Sequence, residues 1–264
     1  MSAPQIEFLR VRTLSEIVEV TIETLRSNAR PLLSGIVRYA GPWILIATAL
    51  TCVEAVQLLK VDVNGLLTGE SRSTRALSTI ANVFTVIAFA STQAMLVSFL
   101  LFISKHGRGP SAQELHDTMR GEIGGAMKTN ILAGLVIIAG LLLFVVPGVY
   151  IAIPLTLVYV VRRFEGTAFG AALKRARALT NQHWWWTFGV VLVVGLIQIA
   201  VILVASLPAI AISTLDVLSQ TDGDVRDPSL VMVIATVLFT AVSTLVSSVA
   251  VLLPLTSHVF LYFS

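Results

Sequence analysis

Charged residues are scarce in this sequence. Only 12% of its 264 residues are Asp, Glu, Lys or Arg, about half of the roughly 25% that soluble domains carry. Hydrophobic residues make up 56% of the chain, and the mean hydropathy is +0.87. A water-soluble domain of this length cannot bury that much apolar surface in one core. The composition therefore excludes an ordinary soluble protein and indicates an integral membrane protein.

Residue types that would carry familiar chemistry are also few. The one cysteine, Cys52, lies within an apolar run, so no intramolecular disulfide can form. No two of the four histidines have the i, i+4 spacing around a glutamate that zinc proteases use: His106, His116, His183 and His258. The sequence also has no glycine-rich phosphate loop and no nucleophile elbow. We therefore expect no cofactor, no metal site and no enzymatic activity.

Long apolar runs dominate the chain. Helices of about 20 apolar residues cross a bilayer, and four runs qualify directly: 39–59, 77–103, 187–212 and 230–253. The uncharged stretch 131–161 would measure about 46 Å as one helix, which exceeds the roughly 30 Å hydrocarbon thickness. Pro147 and Gly148 near its middle favour two helices, 129–146 and 147–163, over one long kinked helix.

The distribution of positive charge decides between those alternatives. With six spans, 14 of the 18 Lys and Arg residues lie on one side of the membrane, in 1–38, 104–130 and 162–183. The other four lie on the opposite side, in 60–76 and 214–229. Cytoplasmic segments carry such an excess. The sequence thus predicts six spans with both termini in the cytoplasm. The basic residues flank apolar runs, and this position suits contact with the anionic headgroups of a membrane surface. We therefore expect no nucleic-acid partner.

Three of the cytoplasmic segments have the pattern of amphipathic helices: 13–30, 111–128 and 166–182. Thr13 precedes Glu16 by three residues, and Ser111 precedes Glu114 by three, which is the capping-box spacing of a helix start. Apolar residues then gather along one face. We expect these helices to lie at the membrane interface, in a single integral membrane domain over 1–264.

Several stretches of the chain resemble a known family. LLLFVVPGVYIAIPLTLVYVV at 141–161 is followed by EGTAFGAALKRARALTNQHWWWTFGVVLVVGLI at 165–197. With VRTLSEIVEVTIETLRSNARPLL at 11–33 and PSAQEL at 110–115, this pattern resembles the glycerophosphoryl diester phosphodiesterase membrane domain family. The resemblance implies a six-helix membrane module of undefined role. It implies no catalysis, because this chain lacks the phosphodiesterase barrel to which such modules are fused.

Four polar residues lie inside the apolar runs. Glu54 lies near the end of the first span. Either it couples protons or contacts a substrate, or it is a carboxylate that water hydrates at the outer interface. Asn82, Gln93 and Gln198 either bond between helices and stabilise packing or form one polar seam along a solute path. A transporter or channel would use these four residues. An intramembrane enzyme would need at least two ionisable groups in one cleft, and the spans offer only Glu54.

The most patterned residues lie on the cytoplasmic side. Three basic residues share the polar face of the third amphipathic helix, and three tryptophans, whose rings favour the headgroup zone, follow it. They are Lys174, Arg175, Arg177, Trp184, Trp185 and Trp186. We therefore predict a non-catalytic membrane module that organises lipid or partner proteins at this face. Its expected partners are anionic lipid headgroups and a membrane protein or a second copy of the chain.

Overall fold

The computed structural model describes residues 12–59, 72–219 and 228–264. Within these ranges the chain forms eleven α-helices and no strand, which confirms the predicted all-α fold. The helices are α1 (Leu14–Ser27), α2 (Ala29–Tyr39), α3 (Gly41–Leu58), α4 (Arg72–His106), α5 (Ala112–Met119), α6 (Glu122–Leu143), α7 (Val145–Glu165), α8 (Phe169–Asn181), α9 (Trp184–Ser219), α10 (Leu230–Ala250) and α11 (Leu252–Phe263).

Six helical segments of the described chain are long and apolar enough to cross a membrane, as predicted for a multi-pass membrane protein. They are Gly41–Leu58, Arg75–His106, Glu122–Leu142, Val146–Glu165, Trp184–Ile212 and Leu230–Phe263. The side of the membrane that holds each terminus stays a prediction. Most of the two predicted outer loops, 60–76 and 214–229, lies outside the described residues.

Contacts group the chain into two compact units. Unit 1 comprises Met1–Tyr39, Ala90–Gln198 and Val251–Ser264, and unit 2 comprises Ala40–Phe89 and Ile199–Ala250. The long helices α4 and α9 each contribute residues to both units. The expectation of one membrane domain over the whole chain stays a prediction.

The uncharged stretch forms two helices, α6 and α7, and the break lies at Phe144, whose backbone is extended (φ −165°, ψ 150°). The predicted break at Pro147-Gly148 was therefore placed too late. Pro147 lies in the first turn of α7, where its missing N–H costs no intrahelical hydrogen bond. Gly148 instead allows close packing, since a Cβ on Gly140 would lie 3.1 Å from Gly148 Cα.

Both predicted capping boxes are present. The Thr13 backbone N–H donates to Glu16 Oε2 (2.7 Å) at the start of α1. The Ser111 N–H likewise donates to Glu114 Oε2 (2.7 Å) at the start of α5. Hydrogen bonds from Arg108 and from the Ser111 backbone and hydroxyl lower the pKa of Glu114 to about 2. Local sequence thus determines these helix starts.

The amphipathic helices are shorter than predicted. The segment 13–30 is divided at Asn28, where α1 ends and α2 begins. The segment 111–128 ends as a helix at Met119, because Gly121 adopts a left-handed conformation (φ 78°) and α6 begins at Glu122. Residues 122–128 therefore belong to a span helix. Only the third segment, now α8, keeps close to its predicted bounds.

The core of unit 1 includes residues from the apolar faces of two of these amphipathic helices. Ile17 of α1 and Ala172 and Ala176 of α8 are fully buried, in one cluster with α7, α9 and α11. From those helices the cluster takes Leu155, Leu157, Val158, Val161, Val190, Val194, Phe260 and Leu261. Parts of the apolar faces of α1 and α8, which we expected to lie at the membrane interface, are thus covered by protein, although Ile22 of α1 is 49% exposed.

Unit 2 has a different kind of packing. Trp43 stacks on Phe84 with ring centroids 6.2 Å apart, and the Cys52 thiol lies 3.6 Å from the Val237 carbonyl oxygen. Side chains on the outer surface are apolar, as in Leu45 and Val204, which are 65% and 68% exposed. Such exposure suits lipid as the surrounding solvent.

Candidate functional site

The α8 helix packs along the helix that precedes it. Gly166, with a left-handed backbone (φ 66°), ends α7, and the chain reverses over Thr167 and Ala168. Arg175 Nε then lies 3.1 Å from Glu165 Oε1 at the end of α7. Farther on, the Tyr150 hydroxyl near the start of α7 donates to Asn181 Oδ1 (3.3 Å). The two helices therefore run antiparallel.

The opposite side of α8 forms an exposed basic face, defined here as Lys174, Arg175 and Arg177. The ion pair of Arg175 with Glu165 leaves the arginine side chain 56% exposed. A cation at the hydrocarbon centre costs about 2.5–3.5 kcal/mol on insertion scales. We therefore expect the basic face to lie in water or among lipid headgroups.

The three predicted tryptophans have three different environments. Trp184 stacks between Tyr150 and Phe188, with centroid separations of 5.2 and 5.3 Å, and its Nε1 donates to the Tyr150 carbonyl oxygen (3.2 Å). Trp186 is half-buried and packs against the core of unit 1. Trp185 is 77% exposed. Only Trp185 is thus free to enter a headgroup layer, while Trp184 and Trp186 hold the start of α9 in place.

An open groove of about 800 Å³ follows this cluster, and we call it the aromatic groove. It is lined by Val146, Val149, Tyr150, Asn181, Gln182, His183, Trp184, Trp185, Trp186 and Phe188. Next to it, the turn between α6 and α7 exposes Leu142 and Phe144 by 82% and 75%. The groove and this turn therefore both expose apolar and aromatic side chains.

A second space of about 350 Å³ lies on the other side of His183 and Trp186, and we call it the Arg12 cavity. Its lining residues are Arg12, Leu157, Leu179, Thr180, His183, Trp186, Thr187, Leu261, Tyr262 and Ser264, none of which is acidic. Arg12 is only 7% exposed, and its guanidinium carbon lies 5.4 Å from the centre of the Phe260 ring. The described lining of the cavity thus combines the buried Arg12 side chain with neutral polar and apolar residues.

A cluster of charges in unit 1 was missed from the sequence. Arg162 Nη2 lies 2.8 Å from Glu122 Oε2, and Arg163 Nη1 lies 3.6 Å from Glu122 Oε1. These side chains are only 16–22% exposed. Arg163 also donates to the Thr118 carbonyl oxygen (2.5 Å), and the Arg162 guanidinium carbon lies 5.4 Å from the centre of the buried Tyr159 ring. Two arginines thus share one glutamate and connect α6 to the end of α7.

The four polar residues of the predicted intramembrane site have separate environments. In unit 2, Glu54 is half-buried and accepts a hydrogen bond from the Ser78 hydroxyl, and Asn82 is exposed. In unit 1, Gln93 is 6% exposed and accepts from Asn130 Nδ2 (2.9 Å). Gln198, also in unit 1, is half-buried. The Gln93–Asn130 bond is an interhelical packing contact of the kind expected, but with a partner that sequence did not indicate.

Side chains that could bind a metal ion do not cluster in the described residues. In residues 12–59, 72–219 and 228–264, no three His, Cys, Asp or Glu side chains come together in a way that could hold a metal ion.

Comparison with known proteins gives no relative. No protein-family model, no curated protein and no solved structure matches the chain. The resemblance to the glycerophosphoryl diester phosphodiesterase membrane domain family therefore stays a prediction that depends on the quoted residues.

Proposed function

We propose that this protein is a non-catalytic membrane module that gathers anionic lipid at the basic face of α8. The observation that carries the proposal is that α8 is buried on one side and exposed on the other. Ala172 and Ala176 are fully buried on one side, which fixes the helix, while Lys174, Arg175 and Arg177 are exposed on the other. A basic residue near an anionic membrane surface contributes about 1 kcal/mol of attraction.

The aromatic groove supports the same assignment. Exposed Trp185 lies on the same unit as the basic face, and aromatic rings favour the interface between hydrocarbon and water. A surface that combines cations with exposed aromatic and apolar side chains matches a lipid, which has an anionic head and an apolar tail. A cytoplasmic location of this face is part of the proposal and depends on the positive-inside bias.

The test is quenching of tryptophan fluorescence by brominated lipid, in lipid discs that contain the full chain. A Trp43→Phe background leaves Trp184, Trp185 and Trp186 as the emitting residues. We expect brominated phosphatidylglycerol to quench at a mole fraction about tenfold lower than brominated phosphatidylcholine does. Lys174→Gln, Arg175→Gln and Arg177→Gln together should remove this preference, because they remove all three cations of the basic face. A tenfold enrichment corresponds to about 1.4 kcal/mol, which is the attraction that one or two basic residues supply.

A matched control removes the same charge elsewhere on unit 1. Arg26→Gln, Arg30→Gln and Arg38→Gln neutralise three exposed arginines of α1 and α2. These substitutions should leave the preference unchanged. An equal loss in both triple variants would show that net charge alone attracts the lipid, and the assignment to α8 would then be wrong.

The transporter alternative has less support in the structure. It needs a polar seam, but Asn82 is exposed and Gln93 bonds to Asn130 in unit 1. An intramembrane enzyme would also need a second ionisable group beside Glu54, whose described partner is the Ser78 hydroxyl.

A further inference from the structure

We propose that Lys174 and Arg177 hold the headgroup of one anionic phospholipid whose acyl chain lies in the aromatic groove. This assignment rests on the proposed function and deepens it, because enrichment at the basic face involves many exchanging lipids. The site instead retains a single molecule, with two of the three cations at its head and the aromatic groove along its tail.

The three cations of the basic face are not equivalent. Among the described residues, only Arg175 of the three forms an ion pair, from its Nε to Glu165 Oε1 (3.1 Å). Glu165 thus neutralises part of the Arg175 charge and holds this side chain towards the end of α7. Lys174 and Arg177 are exposed and have no acidic partner in the part of the chain that the structure describes. Their positive charges are therefore available to an anion from outside the chain.

Lys174 and Arg177 lie on the side of α8 that leads to the aromatic groove. Asn181, which lines the groove, follows Arg177 by four residues and Lys174 by seven. Residues at these spacings lie on the same face of a helix, one and two turns apart. Arg175 lies about 100° around the helix from Lys174, since an α-helix has 3.6 residues per turn. The two cations without an ion pair therefore share one face of α8 with the polar end of the groove.

Neutral polar groups at this end of the groove add hydrogen-bonding capacity. Asn181, Gln182 and His183 are exposed there, and none of the described lining residues is acidic. The Tyr150 hydroxyl donates to Asn181 Oδ1 (3.3 Å). Because Oδ1 is the acceptor of that bond, the Nδ2 donors of the same amide can serve a phosphate oxygen. A phosphate beside Arg177 thus meets charged and neutral donors together, and bonds from a cation are the stronger kind.

The rest of the groove suits an acyl chain. Its volume of about 800 Å³ lies within the roughly 300–1,000 Å³ of small-molecule sites. Val149 and Trp185, which line it, are 40% and 77% exposed. The stacked rings of Tyr150, Trp184 and Phe188 hold one another in place, so little side-chain freedom is lost when a chain binds. Cations beside the polar end and apolar rings beyond it match the anionic head and the apolar tail of one phospholipid.

The experiment is native mass spectrometry of the full chain released from discs that contain equal amounts of phosphatidylglycerol and phosphatidylcholine. We expect one phosphatidylglycerol to remain on each wild-type chain. Lys174→Gln and Arg177→Gln should each lower its occupancy about tenfold, because charge-assisted hydrogen bonds to the phosphate are lost. Arg175→Gln is the matched control, since it removes the same charge from the same helix. It should lower the occupancy at most about twofold, because a charge that makes no contact is screened. Glu165 keeps the Tyr262 hydroxyl as a donor in this variant.

Val149→Phe tests the position of the tail. The added ring occupies the groove while all three cations stay in place, and it should lower the occupancy of phosphatidylglycerol about tenfold. Val37→Phe on α2 is the control, because it makes the same exchange at a valine of unit 1 that is 69% exposed and lies outside the lining. Occupancy at the wild-type level in Val149→Phe would contradict an acyl chain in the groove. All of these exchanges are at exposed positions, where substitutions rarely disturb folding.

The outcomes separate this site from the proposed function. Equal loss of retained phosphatidylglycerol in Arg175→Gln and Arg177→Gln would overturn the site, because charge anywhere on α8 would then suffice, and the general enrichment would stand. Retention that depends on Arg177, together with no fluorescence preference, would keep the site and overturn the general enrichment. Inorganic phosphate at millimolar concentration should not displace the lipid, because it gains nothing from the groove. Displacement, or equal retention of phosphatidylcholine, would contradict a phospholipid held by its anionic head.

Discussion

Units 1 and 2 differ in the charged side chains that they contain and in the contacts that hold their helices together. In unit 2, α3, α10 and residues 199–214 contain one charged residue, Glu54, and the helices are joined by contacts such as the Ser206–Ser243 hydrogen bond (2.7 Å). Unit 1 holds the Glu122–Arg162–Arg163 cluster and the basic face. Apolar composition marks helices of both units as spans. The difference shows that hydropathy alone does not distinguish a bundle with few charged side chains from one that also contains a partly buried cluster of charges.

The largest effect on this difference between the units is expected from replacing Glu122, the glutamate that two arginines of unit 1 share. Glu122→Gln leaves Arg162 and Arg163 together in a site where each is about four-fifths buried. Loss of one partner from a buried ion pair costs about 3–5 kcal/mol. We expect the free energy of unfolding in mixed micelles to fall by about 3 kcal/mol. Glu54→Gln in unit 2 is the matched control, since its amide oxygen can still accept from Ser78. An equal cost at both sites would remove the distinction between the units.

A second substitution tests how tightly the cluster is packed. A Cβ on Gly125 would overlap with the Arg162 guanidinium, whereas a Cβ on the adjacent Gly124 would meet nothing within 4 Å. Because Glu122 holds Arg162 in place, Gly125→Ala should cost about 2 kcal/mol of unfolding free energy, within the usual range for overpacking. Gly124→Ala should be neutral or slightly stabilising in the helix. Equal effects in the same unfolding measurement would show that Arg162 moves aside freely.

The features that sequence predicted correctly are local ones. Six apolar helices follow from run length, and both capping boxes follow from a three-residue spacing. The errors in boundaries are also local in origin. Pro147 was given the role of the break, although the first turn of a helix tolerates proline, and the chain breaks at Phe144. Gly121 ended the second amphipathic helix at a point that hydrophobic periodicity does not mark.

The candidate site could be predicted only in part. The basic face of α8 is visible in sequence because its three cations and the buried alanines alternate with helical period. The pairing of Glu122 with Arg162 is not visible, since it joins residues 40 positions apart. The same holds for the bond between Asn130 and Gln93, 37 positions apart. Tertiary packing alone brings these groups together, and the position of α8 along α7 also depends on it.

The smallest expected effect concerns the hydroxyl pair of unit 2. Ser206 on α9 and Ser243 on α10 lie 2.7 Å apart, oxygen to oxygen. Hydrogen bonds between membrane helices contribute about 0.6 kcal/mol on average, since the separated helices find other partners. A double-mutant cycle of Ser206→Ala and Ser243→Ala should therefore give a coupling free energy near that value, measured by unfolding in mixed micelles. A coupling as large as the cost of Glu122→Gln would mean that unit 2 also depends on strong polar contacts. The two units would then differ in the charge they expose and not in how they are held together.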